Sequence, residues 1–172
     1  MAGGGCDNVM IDDKPLRQAL GRALNLISYR QRTERELRER LGERFESEVI
    51  DRAVERLKEQ GLVDDEGFAR AWSDGRTRNS PRSARALVRE MTDRGVARSI
   101  ADAAVRHLDD EETARMAAVK FARRLTGTDY DQFHRRLWQH LQRRGYSGTV
   151  ARRAVSELWQ EREASEGHAS DE

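Results

Sequence analysis

The stretch LVREMTDRGVARSIADAAVRHL, residues 87–108, is answered by LWQHLQRRGYSGTVARRAVSEL, residues 137–158. Leu87, Met91, Gly95, Val96, Ile100, Ala104, Val105 and Leu108 fall opposite Leu137, Leu141, Gly145, Tyr146, Val150, Ala154, Val155 and Leu158, each 50 residues on. Apolar residues three and four apart share one helix face, and glycine supplies the left-handed residue on which a helix commonly ends. Each copy therefore reads as helix, stop, apolar residue, helix. A looser copy lies upstream in Leu37, Leu41, Phe45, Val49, Ala53, Val54 and Leu57. It needs a one-residue gap near Phe45, where the offset changes from 50 to 51. Recurrence at a fixed period is the mark of a repeat architecture.

The helical spacing continues outward from these copies. Leu16, Leu20, Ala23, Leu24 and Ile27 form one stripe of a first helix. Thr33 and Glu36 have capping-box spacing at the start of a second, which buries Leu37 and Leu41. A third follows Ser47 as N-cap, turns Val49, Ala53 and Leu57 inward, and stops at Gly61. A fourth follows Asp64, with Phe68 and Trp72 on one face as module core. Ser80-Pro81 opens the fifth, with proline at the first helical position and Ala84, Leu87 and Met91 buried. The sixth carries Ile100, Ala104 and Leu108. Acids at 109–112 start the seventh, which packs through Ala114, Ala118, Phe121 and Leu125 and stops at Gly127. The eighth carries Phe133, Leu137 and Leu141; the ninth follows Ser147 with Val150, Ala154 and Leu158.

The predicted fold is all-α: three tandem three-helix repeats, at 15–62, 63–109 and 110–162, forming an elongated rod, straight or curved. The glycine-rich start, 1–14, and the small polar end, 163–172, are expected to be disordered. A module of this size is near the lower limit of independent stability, so neighbours should support one another.

Of the 172 residues, 37% are charged and 37% hydrophobic, which favours thin elements with one buried stripe each. The net charge of +1 hides an asymmetry. Residues 46–67 hold eight acids and three bases; residues 76–100 hold seven arginines and two acids; residues 120–153 hold nine bases and two acids. The single cysteine, Cys6, cannot form an internal disulfide, and no apolar run approaches the roughly 20 residues that span a bilayer. A cytoplasmic protein without membrane attachment is expected. The four histidines (107, 134, 140 and 168) lack partners at zinc-ligand spacing, and no phosphate loop or nucleophile elbow is present. The sequence therefore predicts no enzyme, cofactor or metal.

The basic segments are the candidate interface: Arg76, Arg78, Arg82, Arg85, Arg89, Arg94, Arg136, Arg143, Arg144 and Arg153. Placed on the fifth helix, Arg82, Arg85 and Arg89 are three and four apart and lie opposite Leu87 and Met91. Arg136 and Arg143 likewise oppose Leu137 and Leu141. Guanidinium groups suit carboxylates and phosphates alike. For one arginine a solvated face is the simpler account; the cluster points to an anionic partner. Trp138 and Trp159 are open to two readings, self-association surface or peripheral core.

Residues 61–72 read Gly-Leu-Val-Asp-Asp-Glu-Gly-Phe-Ala-Arg-Ala-Trp. This resembles the hallmark of the RecX family: a glycine, two apolar residues, Asp-Asp, then Phe-Ala and an aromatic. Ala23 to Leu41, Ser83 to Val96 and Arg143-Arg144-Gly145-Tyr146 extend the resemblance across roughly Leu20 to Leu158. The resemblance implies a non-enzymatic regulator that lies along the groove of the RecA–single-stranded DNA filament. It would bridge protomers and reduce ATP hydrolysis, strand exchange and co-protease activity, and so modulate DNA repair and recombination. Carried onto this chain, the basic faces of modules two and three would contact acidic RecA surface, DNA phosphates, or both. The expected oligomeric state is a monomer. Two other readings remain open at this point, a stand-alone nucleic-acid binder built on helix-turn-helix-like units and a helical adaptor for another protein.

Overall fold

Nine helices and no strand occupy the residues that the computed structural model describes, 13–168. The chain divides into two compact units, one through Asp64 and the other from Asp65.

The first unit holds α1 (Lys14–Tyr29), α2 (Glu34–Gly42) and α3 (Ser47–Glu59). Asp13 caps α1, accepting from the Leu16 backbone N–H at 3.1 Å, so the helix starts one residue before the expected module boundary. Residues 1–12 of the expected N-terminal tail lie outside the described residues. Thr33 caps α2 through the Glu36 N–H at 3.2 Å, as the capping-box spacing requires. Leu37, Leu41, Ile50, Val54 and Leu57 form the core with Ala23 and Val63.

Three expectations are corrected here. Leu24 is 45% exposed, because the inward stripe of α1 runs through Ala19, Leu20, Ala23, Leu26 and Ile27. One residue past Ala23 is a rotation of about 100°, which carries Leu24 off that stripe. Ser47 is the first residue of α3 and not its cap; Glu46 stands at the cap without a side-chain hydrogen bond. In α3 it is Ile50, not Val49, that is buried, being three, four and seven residues from Ala53, Val54 and Leu57.

The second unit holds α4 (Asp65–Asn79), α5 (Ala84–Asp93), α6 (Arg98–Val105), α7 (Asp110–Ala122), α8 (Tyr130–Arg143) and α9 (Gly148–His168). It has two cores, one under α4–α6 and one under α7–α9. The repeat is visible as burial. Leu87, Met91, Val96, Ala101, Ala104 and Val105 are buried in one core; Leu137, Leu141, Tyr146, Ala151, Ala154 and Val155 are buried in the other. Ile100 and Leu108, like Val150 and Leu158, are half-buried at the edges. Each fully buried leucine contributes about 2–3 kcal/mol by leaving water. Phe68 enters the core of α4–α6, while Trp72 is half-buried and stacks on it at 5.7 Å. Helix α9 continues through His168, past Glu163, where the sequence places a disordered tail. Residues 169–172 lie outside the described residues.

Helix α5 begins later than the Ser80-Pro81 signal suggests. Pro81 is fully buried in the connection, and Ser83 is the N-cap, accepting from the Ala86 N–H at 3.2 Å. This connection also joins the two cores. The Ala84 N–H donates to the Asp110 carboxylate at 2.7 Å, so the first residue of α7 satisfies a free amide of α5. The Ser83 N–H donates to the Arg144 carbonyl at 3.2 Å. Arg144 Nη1 donates to Ser80 Oγ at 3.0 Å and to the Pro81 carbonyl at 2.9 Å. Lys120 Nζ donates to the Arg78 carbonyl at 2.6 Å, placing a cation at the negative C-terminal end of α4.

Candidate basic interface

Ten arginines come forward from the sequence, and the structure sorts them by what they touch. Three are engaged in holding the α4–α5 pair together, and a fourth, Arg78, stands at the end of α4. Arg76 Nε donates to Glu90 Oε2 at 2.9 Å, and its guanidinium lies 4.8 Å from the Trp72 ring. Arg94 lies over the same ring at 4.2 Å. Arg82 Nε is 3.0 Å from Glu90 Oε1. Glu90 also accepts from Trp72 Nε1 at 3.0 Å, so one carboxylate hydrogen-bonds an arginine and an indole and pairs by charge alone with a second arginine, Arg82. Arg78 is exposed and offers its backbone carbonyl to Lys120.

Two more arginines are structural within the second unit. Arg144 is tied to the 80–83 connection and donates from Nε to His140 Nε2 at 2.7 Å. Arg153 reaches from α9 to Glu111 on α7 at 2.8 and 2.9 Å, and to Glu157 at 2.8 Å. These exposed pairs add little stability individually, but they occupy the guanidinium.

The remaining four are Arg85, Arg89, Arg136 and Arg143. Among the described residues none of Arg85, Arg136 and Arg143 has an ion-pair partner, and Arg89 is 85% exposed with only Asp93, at 3.9 Å. Arg85, Arg89 and Arg143 line a groove of about 920 Å³ between α5 and the turn joining α8 to α9. Of the three acids of that groove, Glu90 is engaged by Arg76, Arg82 and Trp72, Asp110 by the Ala84 amide, and Asp93 lies 3.9 Å from Arg89. Arg143 also lines a second cavity, of about 310 Å³, with Arg136 and Arg124. A cationic strip therefore runs from α5 across to the α7–α8 face.

Arg82, Arg85 and Arg89, expected to share a face of the fifth helix, all line the groove beside α5, although Arg82 lies outside the helix. Arg82 precedes α5 and belongs to the Glu90 cluster. Arg143, 50 residues and more away in sequence, joins the three there, with its guanidinium free of any ion pair among the described residues. Sequence reasoning missed Arg124, whose neighbourhood with Arg136 and Arg143 is made only when α7 packs on α8. It also missed Glu90, since the carboxylate's role depends on partners brought in from α4 and from the connection before α5.

His140 is the titratable group most displaced in this region. Its ring stacks on Phe121 at 3.9 Å, and Nε2 accepts from Arg144. Burial first, then the positive charges of Arg144, Arg143 and Arg124, push its pKa down to about 4. The unfolded chain takes up a proton near 6.5, the folded protein only near 4. Stability is therefore full above pH 6.5 and is lost as pH falls from 6.5 towards 4. We expect a loss of about 1 kcal/mol across that window, after allowing for solvent screening at a partly exposed ring. Urea unfolding at pH 7 and pH 5, for the wild type and His140→Gln, checks this; the variant should lose much of the difference. Burial also raises the Tyr146 phenol to about 12, so it remains neutral.

Comparison with known proteins yields three family models in chain order. "RecX, first three-helix domain" matches residues 19–57, "RecX, second three-helix domain" residues 64–105, and "RecX, third three-helix domain" residues 109–155. A protein of Streptomyces coelicolor named Regulatory protein RecX is 36% identical over 162 residues, covering 92% of this chain and 86% of its own. Proteins of the same name from Mycobacterium marinum and Prosthecochloris aestuarii are 38% and 35% identical, covering 87% and 86% of this chain and 91% and 98% of theirs. Among solved structures, that of RecX from Lactobacillus salivarius matches with a TM-score of 0.71 at 22% identity, covering 84% of this chain and 96% of that one.

Proposed function

The chain belongs to the RecX family, and from that premise we propose that it binds the RecA–single-stranded DNA filament and restrains it. The reading extends to lower ATP hydrolysis, strand exchange and co-protease activity, and so to control of DNA repair and recombination in the cytoplasm. The observation that carries it is the match to relatives named Regulatory protein RecX over most of the chain, spanning all three modules. The unpaired arginines of the strip support it, because a filament of protein and DNA presents both carboxylates and phosphates. The regulator needs no catalytic group, since many modest contacts along a polymer add up through multivalency. Among the described residues no helix is long and apolar enough to cross a membrane.

The experiment is direct. Purified chain is added to RecA on single-stranded DNA and ATP hydrolysis is followed. Hydrolysis should fall as the chain is added. Unchanged hydrolysis at molar excess would overturn the reading.

A further inference from the structure

Two tryptophans, Trp138 and Trp159, were open to two readings, and the structure separates them. Trp159 packs between Tyr130 and Phe133, each at 5.3 Å, with Arg162 at 5.1 Å, as peripheral core. Trp138 is different. It packs against the α7–α9 core and also lines a cavity of about 480 Å³ with His134, Gly148 and Arg152.

The cavity has an unusual combination of walls. His134 and Trp138 of α8 form one side; Tyr130, outside the cavity, continues the same four-residue spacing, so successive rings start about 6 Å apart along the helix axis. Tyr130 is 44% exposed, and its ring is 5.7 Å from that of His134. Arg152 of α9 forms the opposite side, its Nε donating to the Gly148 carbonyl at 3.3 Å. At Gly148 a Cβ would meet no heavy atom within 4 Å, so no side chain closes the cavity there. Around α8 the next residues are basic: Arg135 is exposed beside Trp138, and Asp131 is the single acid of the helix.

Aromatic rings at nucleotide-like spacing, with an arginine beside them, match the chemistry of unpaired nucleobases. Every base has a π face that an indole can stack on, and guanidinium groups hold the phosphates. A duplex hides those faces, and an acidic peptide has no comparable planar face for the rings. We infer that this edge of the third module is a stacking site for single-stranded nucleic acid, with Trp138 as the platform and Arg152 as a phosphate contact. The site goes beyond the filament reading and does not depend on it.

The test uses the full chain without RecA. Binding of labelled oligo(dT) is compared with binding of an abasic oligomer of equal length and charge, by fluorescence anisotropy. The wild type should prefer oligo(dT). Trp138→Leu should bind oligo(dT) about tenfold more weakly, the effect expected of one lost stack, with abasic binding unchanged. Trp138→Phe, which keeps a π face, should restore part of the loss. Gly148→Leu fills the cavity without a clash at its Cβ, so it should keep its melting temperature and still lose oligo(dT) affinity. That variant decides the matter if Trp138→Leu proves unstable. Equal affinity of the wild type for both oligomers, no binding of either, or oligo(dT) affinity undiminished in Gly148→Leu would overturn the inference. No recombinase is present, so failure here leaves the filament reading standing.

Discussion

Gly145→Ala is expected to destabilise the protein by about 2–5 kcal/mol, and Gly127→Ala by only about 1–2 kcal/mol. Both glycines sit at positive φ, +89° for Gly145 and +72° for Gly127, where an L side chain costs about 1–2 kcal/mol. Only Gly145 has a second constraint. A Cβ there would lie 2.7 Å from both the Ala86 Cβ and the Ser83 Oγ. Neither atom can retreat easily, because Ser83 is the cap of α5 and Ala86 lies in its first turn. Overpacking of this kind adds about 1–3 kcal/mol. Urea unfolding of the two variants measures the difference. Asparagine sharpens the contrast: it tolerates the left-handed conformation, so Gly127→Asn should be nearly neutral, while Gly145→Asn keeps the clash. Equal losses at 127 and 145 would mean that the α5 contact yields without resistance.

Gly145 also shows how far the sequence reaches. The 50-residue offset that pairs Gly95 with Gly145 identifies both as helix stops, and both take positive φ. The same offset anticipates the two lists of buried residues, because 3.6-residue periodicity and burial are one constraint in an amphipathic helix. That Gly145 also abuts α5 is not in the pattern, since nothing local to it encodes Ser83 or Ala86. Helix starts were less legible for a related reason. Ser80-Pro81 and Ser83 both satisfy the local rules for a start, and the choice of Ser83 goes with contacts from Asp110 and Arg144, 26 or more residues away. Leu24 and Val49 failed because adjacent apolar residues leave the stripe ambiguous until the neighbouring helix is placed.

The misplacement of α5's start decides which charge reversal tests the proposed interface. Reversing Arg82, Arg85 and Arg89, the set read from the sequence, would put a glutamate against Glu90 and strip it of one cation. Lost activity would then report a loosened α4–α5 pair as readily as a lost contact. The structure points instead to Arg85, Arg89 and Arg143, which line one groove and have no close partner apart from the long Arg89–Asp93 pair. The triple variant Arg85→Glu, Arg89→Glu, Arg143→Glu should unfold within a few degrees of the wild type, since exposed substitutions of this kind seldom exceed about 0.5 kcal/mol each. Its inhibition of RecA ATP hydrolysis should nevertheless need roughly a hundredfold more protein. Three solvent-screened contacts at about 1 kcal/mol each amount to about 3 kcal/mol, and reversal adds repulsion. Arg153→Glu is the informative control, because that guanidinium is already held by Glu111 and Glu157; it should change inhibition little. A triple variant that inhibits at wild-type concentrations would remove the groove from the interface while leaving the family's regulatory role intact. A triple variant and control weakened alike would mean that overall charge, and not this groove, carries the attraction.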